Sequence, residues 1–348
     1  MIPSIDIDKM VDFLVGLLNT PSPTGDTDRA MAYIQNAFAD LPVKLEKAPK
    51  GFLVGTWAGE KNDAPRGVTA HADTLGAMVR EIKKNGRLRM TQLGGWLWTS
   101  VEGEGVTIFA SSGEVYRGAI MPVASSIHAH TREVHEAKRT DETMEVRIDA
   151  RTNSAEETRA LGIRVGDVIA FDPRVEVNPN GFIRSRHLDD KLSIATIFGA
   201  VSALANAGLT PKQTTTFHFS NYEEVGHGGA AGFPPDMVEL LTVDMAVVDE
   251  KQESDEYSVT ICAKDSAGPY HMGFRRELEA LAAANNLDYC TDIYPYYGSD
   301  GEALWRAGGN VRVGLIGPGV AASHHYERTH RDAIENTAKL IAAYLLSE

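Results

Sequence analysis

Helical periodicity frames this chain at both ends and is missing from its middle, and that contrast restricts the folds open to it. Ile7, Met10, Val11, Leu14, Val15 and Leu18 recur at the spacing of one helix face, and Pro21-Ser22-Pro23-Thr24-Gly25 closes the run. A second helix starts at Asp26 and reaches residue 39 or so. Residues 52–57 and 68–70 have strand patterns, and from residue 80 to 178 short β-like runs and turns take over. Helical patterning returns only after Asp190, then alternates with strands to a last helix over 333–346. Such alternation builds helices on both faces of a sheet. The expected fold is α/β: a three-layer αβα domain with a mixed sheet, residues 1–79 and 179–348, interrupted by an inserted β-rich domain, residues 80–178. With 348 residues, 43% of them hydrophobic, the chain has enough material for two cores.

Chemistry-bearing residues collect where the apolar runs stop. In Asn221-Tyr222-Glu223-Glu224-Val225-Gly226-His227-Gly228-Gly229, two adjacent carboxylates stand between a strand-like run, 214–220, and a glycine-rich turn. Neighbouring side chains at a strand end can be aimed differently, so one can hold a metal while the other moves a proton. Taken alone, a Glu-Glu pair is more often two solvated loop acids. His71 and Asp73 are two apart, so on an extended segment they share a face. Asp73 is positioned to fix the His71 tautomer for metal binding. Leu188-Asp189-Asp190 precedes a helical pattern; an N-cap explains it by default, and a carboxylate bridging two cations is compatible with that. Asp249 ends the apolar run 245–248, as a turn former or as a ligand. Ser323-His324-His325-Tyr326-Glu327-Arg328-Thr329-His330 carries three of the 11 histidines just after another strand-and-glycine pattern. Its bland reading is a pH-sensitive surface patch.

Each motif is weak alone, but their joint order and spacing resemble the M42 family of metallo-aminopeptidases. That family uses a His-x-Asp segment, a Leu-Asp-Asp segment, a Glu-Glu-Val-Gly segment, a strand-terminal Asp and a late His. The likeness extends over nearly the whole chain, including Gly94-Gly95-Trp96 and 117–122 in the region of the family's inserted β-domain. The M28 and M20 metallopeptidases share the ligand logic, but Glu223-Glu224-Val225-Gly226 and Leu188-Asp189-Asp190 favour M42.

The resemblance implies that Asp189 bridges two metal ions. Glu224 and the late histidine complete one ion's protein ligands, and His71 and Asp249 the other's. Glu223 becomes the general base, and Asp73, the partner of His71, is counted with it as a catalytic residue. The sequence departs from the family at Thr74, where Glu is common, and at Ser193, where Gly is usual. The family's His-Ser-x-x-Glu also differs here: His324 is taken as the ligand with His325 as its competitor, and His330 stands further off. The implied cofactors are two divalent ions, zinc first, with cobalt or manganese as alternatives for an N/O site. The implied substrate is a short peptide. The implied assembly is a dimer-based homo-oligomer, up to a dodecameric shell, with Trp96 and Trp98 either at an interface or within the β-domain's own core.

Lys+Arg 34 against Asp+Glu 48 gives a net charge of −14, which argues against nucleic acid or an anionic membrane as a partner. Cys262 and Cys290 form no CxxC pair and read as reduced thiols. The N-terminal segment has no signal-peptide pattern, and no apolar stretch approaches the roughly 20 residues that span a bilayer. A cytoplasmic location is expected. Tyr294-Pro295-Tyr296-Tyr297-Gly298-Ser299-Asp300 supplies either an aromatic pocket wall or a packed turn in which Asp300 caps a helix. His227 is either a pocket residue or a structural histidine. Two other functions remain open from the residues: an amidohydrolase or deacylase using the same metals on a non-peptide amide, and a metal-stabilised scaffold without catalysis. A two-carboxylate glycosidase is disfavoured by the histidines.

Overall fold

The computed structural model describes residues 2–348, which divide into two compact units, residues 2–73 with Arg174–Glu348 and Thr74–Pro173. Both divisions fall a few residues before the boundaries read from the sequence, 79/80 and 178/179. The strand Gly76–Ile82 already pairs with Leu88–Leu93 in the second unit, and Glu176–Val177 already pairs with Phe182–Ser185 in the first.

The first unit is built on a mixed sheet of twelve strands. Four central strands, Gln213–Ser220, Lys61–His71, Glu239–Val243 and Arg312–Ala321, lie side by side and run parallel. Antiparallel strands extend the sheet on both sides, Leu53–Trp57 beyond the first and Glu327–His330 beyond the last. Alternate residues of the central strands enter different cores, as the two-residue period requires. Leu241, Val243 and Ile316 join the large cluster with the helices Ile7–Leu18, Leu188–Asn206 and Arg331–Leu345. Leu240, Val313 and Leu315 instead join a smaller cluster with Leu304 of the helix Asp300–Arg306. Helices therefore cover both faces, giving the three layers expected.

Local signals account for the helix limits. Asp6 caps Ile7–Leu18 by accepting from the Lys9 backbone N–H, and Met10, Leu14, Leu17 and Leu18 form its buried stripe. The helix expected from Asp26 to residue 39 is shorter, Asp28–Ala37. Leu188–Asn206 is buried along almost its whole length, and Phe13 stacks on its Phe198 at 4.4 Å between centroids. A helix covered on all sides needs no polar face, which explains its run of Leu, Ile, Ala and Phe.

The second unit is a closed barrel of six antiparallel strands in the order Gly76–Ile82, Leu88–Leu93, Met144–Ile148, Val115–Pro122, Gly105–Phe109 and Val168–Phe171. Val79, Leu88, Met90, Val106, Ile108, Ile120, Val146 and Ile169 fill it. Trp96 is 5% exposed within this core and donates its indole N–H to Gly76 O, with Trp98 packed edge-on against it. Two short helices, Arg132–His135 and Ala155–Ala160, interrupt a region read from the sequence as free of helix. At four and six residues they are too short to leave a periodic pattern. No helix among the described residues is long and apolar enough to cross a membrane. Cys262 and Cys290 are free thiols.

Candidate active site

The four parallel strands deliver their chemistry at their C-terminal ends, where an open α/β sheet commonly binds its ligands. His71 is the last residue of Lys61–His71, Glu223 and Glu224 follow Gln213–Ser220, Asp244 follows Glu239–Val243, and His324 follows Arg312–Ala321. Asp189 and Asp190 enter at the start of Leu188–Asn206, where both depart from helical backbone angles and neither caps the helix with its side chain.

Asp189 is the hub. Its Oδ1 lies 3.2 Å from His71 Nε2 and its Oδ2 lies 3.3 Å from His324 Nε2. His324 Nε2 is also 3.7 Å from Glu224 Oε2, and His71 Nε2 is 3.7 Å from Glu223 Oε2. Ligand atoms of His71, Asp189 and Glu224 lie within 4.8 Å of one another, as do those of His71, Asp190 and Asp244. The structure thus brings together His71, Asp189, Glu223, Glu224 and His324. His324 adopts a left-handed conformation, φ 65°, that aims its ring at Asp189. His325 has neither carboxylate within ion-pair distance; burial and the Arg186 guanidinium lower its pKa.

Asp249 does not join the group. It is exposed on the turn after Ala246–Val248, where its carboxylate accepts from the Glu250 backbone N–H. Asp244, only 5% exposed, occupies the strand end instead. Both acids flank the same apolar run; the deciding difference is the preceding strand Glu239–Val243, buried at every position and central to the sheet. In the sequence Asp244 is marked only as the end of the Leu-Leu-Thr-Val run, a pattern that Asp249 shares, so sheet position decides between them.

Asp73 meets His71 through its backbone carbonyl, with its carboxylate Oδ1 3.6 Å from Nδ1. His71 Nδ1–H donates to the Asp73 backbone carbonyl at 2.9 Å, which turns Nε2 toward Asp189; burial disfavours charge on the ring, but its contacts with Asp189 and Asp73 raise its pKa well above the usual imidazole range. The Asp73 carboxylate instead accepts from the backbone N–H groups of Glu223 at 3.1 Å and Glu224 at 3.3 Å, and from Thr24 Oγ1 at 2.7 Å. Glu327 is a second clamp, accepting from the backbone N–H groups of His324 at 3.0 Å and Asp189 at 3.2 Å. Asp300 accepts from Ser220 Oγ and, at 2.6 Å, from Gly229 N–H rather than capping its own helix. Thr24, Glu327 and Asp300 act through tertiary contacts, and only Glu327 belonged to a recognisable motif. In the aromatic segment, Tyr294 is buried, Tyr297 donates to Met245 O at 2.9 Å, and Tyr296 is 99% exposed. His227 is exposed and stacks on Tyr222 at 5.0 Å.

This much negative charge cannot persist uncompensated in a buried site. Burial raises Glu224 to about 8 against the pull of His324, and burial with Asp189 raises Asp244 to about 8. Burial also pushes Glu223 and Asp190 well above the usual carboxylate range. Burial disfavours charge on Asp189 as well, but hydrogen bonds from His324 and His71 hold it below that range. Glu224 Oε1 and Asp190 Oδ1 are buried and have no hydrogen-bond partner. Orphaned carboxylate oxygens beside imidazoles whose Nε2 atoms face carboxylates are what a divalent cation satisfies, taking the place of the Nε2 proton. The residues present therefore fit a divalent cation held among His71, Asp189 and Glu224, or among His71, Asp190 and Asp244.

The chain also resembles known proteins over most of its length. The family model described as M42 glutamyl aminopeptidase matches residues 51–340. YhfE of Bacillus subtilis is 43% identical over 339 residues, covering 97% of this chain and 98% of the relative. The fold resembles the aminopeptidase APDkam598 of the archaeon Desulfurococcus kamchatkensis, with a TM-score of 0.88 and 20% identity over 98% of this chain and 96% of that one. It also resembles the TET1 peptidase of Pyrococcus horikoshii, with a TM-score of 0.84 and 19% identity over 97% and 100% of the two chains.

Proposed function

The chain belongs to the M42 glutamyl aminopeptidase family, and from that premise we propose that it is a dinuclear metal-dependent aminopeptidase that removes the N-terminal residue of short peptides. The observation that carries this reading is Asp189, whose two oxygens face two different histidines at 3.2 and 3.3 Å, the disposition of a carboxylate shared between two cations. Asp189, Glu224 and His324 would hold one ion; His71, Asp189 and Asp244 would hold the other. Zinc suits the N/O donor set, as do cobalt and manganese. Bound there, two such cations lower the pKa of a water and polarise the scissile carbonyl.

The protein's own residues supply the proton movements. Glu223 faces His71 Nε2 at 3.7 Å while the Asp73 carboxylate holds its backbone N–H. From that position Glu223 accepts a proton from the attacking water as its oxygen bonds to the carbonyl carbon. It then delivers that proton to the amine nitrogen as the C–N bond breaks. Asp73 fixes the Glu223-Glu224 turn, and Glu327 fixes the backbone of Asp189 and His324, so neither clamp needs to touch substrate. Replacing Glu223 with Gln keeps the shape and removes the base. Elemental analysis is expected to find the metal content of Glu223→Gln unchanged, while kcat on aminoacyl arylamides falls about 10²–10⁴-fold. Full hydrolysis by the metal-replete variant would remove Glu223 from the mechanism. Hydrolysis of N-acylated amino acids in preference to free-amine substrates would point to a deacylase instead.

A homo-oligomer built on dimers completes the proposal. It is supported by the fold shared with TET1 of P. horikoshii, which assembles into a tetrahedron or an octahedral shell. Exposed Leu97, Val115, Ile127 and Val165 of the barrel unit give apolar surface for association. Light scattering on the eluting protein is expected to give a mass well above the 37.8 kDa of one chain; a clean monomer would exclude the assembly.

A further inference from the structure

A proline-rich linker contacts two of the segments that form the proposed site. Thr20-Pro21-Ser22-Pro23-Thr24-Gly25 lies between the helices Ile7–Leu18 and Asp28–Ala37, and its two prolines restrict the backbone. The Asp26 N–H donates back to Pro23 O at 2.8 Å, closing a turn in which Gly25 adopts φ 92°, as glycine does at the third position of a type II turn. Lys191 Nζ donates to Thr20 O at 2.7 Å and Ser22 Oγ donates to Ala72 O at 2.7 Å. The linker is thereby pinned both to the helix start that carries Asp189 and to the segment that carries His71.

Its third contact differs in kind, because it meets a carboxylate. Thr24 Oγ1 donates at 2.7 Å to Asp73 Oδ2, the oxygen that also accepts from the Glu224 N–H at 3.3 Å, while Oδ1 accepts from the Glu223 N–H at 3.1 Å. Glu223–Val225 is a single 3-10 turn, so these first amides have no acceptor within it and depend on Asp73. Asp73 is buried, and its Oδ1 also lies 3.6 Å from His71 Nδ1. The amides and the imidazole therefore compete for one carboxylate. The hydroxyl fixes the plane of that carboxylate in favour of the amides, and a hydrogen bond to a charged, buried acceptor is strong enough to do so.

We propose that Thr24 is a positioning residue of the hydrolytic reaction: its hydroxyl fixes the Asp73 carboxylate, and Asp73 in turn holds the backbone of Glu223, the proposed base. The inference rests on the peptidase reading above. Glu223 must stay within reach of the proton it moves, and a displacement of about 1 Å is costly to such a step. Thr24 is buried and offers the substrate no contact of its own, so its loss acts on kcat rather than on KM.

The test compares Thr24→Val, which keeps the shape and loses the hydroxyl, with Thr24→Ser, which keeps the donor, and with Ser22→Ala, which cuts the linker's neighbouring tie to Ala72. Each is assayed at saturating metal on aminoacyl arylamides, with its metal content measured by elemental analysis. Thr24→Val is expected to lower kcat about 10–100-fold at native KM and native metal content. Hydrogen exchange followed by mass spectrometry is expected to quicken about tenfold in the peptide spanning residues 221–226, with the central strands unchanged. Thr24→Ser should restore both, and Ser22→Ala should leave kcat near native. Native kcat and native exchange in Thr24→Val would overturn the proposal. So would a Ser22→Ala variant that loses as much kcat as Thr24→Val, since that marks a linker that merely holds the fold together. Should Thr24→Val not fold, Thr24→Cys, a weaker donor, takes its place under the same expectations. If the metal-loaded native protein cleaves no peptide or arylamide, the peptidase reading fails, and the exchange comparison alone decides whether Thr24 holds the turn.

Discussion

Asp244 and Asp249 bracket the strand Ala246–Val248, yet their surroundings differ in every respect that matters for binding a cation. Asp244 is buried among His71, Asp190 and Asp189, where burial raises its pKa and a cation would relieve it. Asp249 is exposed and satisfied by its neighbour's backbone. Asp244→Asn is therefore expected to lose one of the two metal equivalents. Its kcat/KM should fall by more than the roughly 10–100-fold that changes around a metal's ligands usually cost. Asp249→Asn is expected to keep both ions and an activity within about twofold of the native protein, as surface substitutions do. Elemental analysis beside kinetics decides it, and loss of metal from Asp249→Asn alone would return the strand-end role to that residue.

Strand ends were legible in the sequence because apolar runs stop there and acids or histidines begin, as at His71, Glu223 and His324. The aspartate was harder to place because two runs in succession, 239–243 and 245–248, both end in Asp, and only sheet position distinguishes a central strand from a short peripheral one. Barrel closure was illegible for a similar reason: alternation marks each strand of the second unit, but pairing between the first strand, Gly76–Ile82, and the last, Val168–Phe171, leaves no local trace. Clamps such as Asp73 on Glu223 and Glu327 on Asp189 join residues far apart in the chain, so spacing cannot report them. Packing between elements makes its own demand at Gly317 in Arg312–Ala321, where a Cβ would stand 1.7 Å from the backbone carbonyl of Asp244. Since backbone cannot rotate away, Gly317→Ala is expected to cost about 1–3 kcal/mol and to weaken metal binding by moving Asp244. Gly95→Ala, whose Cβ meets nothing within 4 Å, serves as the control and should stay within about 0.5 kcal/mol. Denaturant midpoints that match for the two variants would show that the strand accommodates the clash.

At the scale of the whole molecule, the proposed site joins distant parts of the first unit. His71 comes from before the barrel segment, and Asp189, Glu224, Asp244 and His324 come from after it. Cations bound among them therefore stabilise the native arrangement over an unfolded chain in which these ligands are scattered. The stabilisation follows mass action: about 2.7 kcal/mol for one site when free metal is at a hundred times its dissociation constant, and more when a second site fills. The net charge of −14 acts in the same direction, because neutralising buried carboxylates reduces self-repulsion in the compact state. A change of 1 kcal/mol moves the midpoint by about 2–4 °C in domains of 150–250 residues, so removal of metal is expected to lower Tm by about 5 °C or more. Scanning calorimetry on chelator-treated protein, followed by the same protein titrated with zinc, cobalt or manganese, measures this directly. Recovery of Tm should rise with the logarithm of free metal and be weakened by Asp244→Asn. An unchanged Tm across the titration would mean that the carboxylates are stabilised by protons alone, and the dinuclear reading would fall with it.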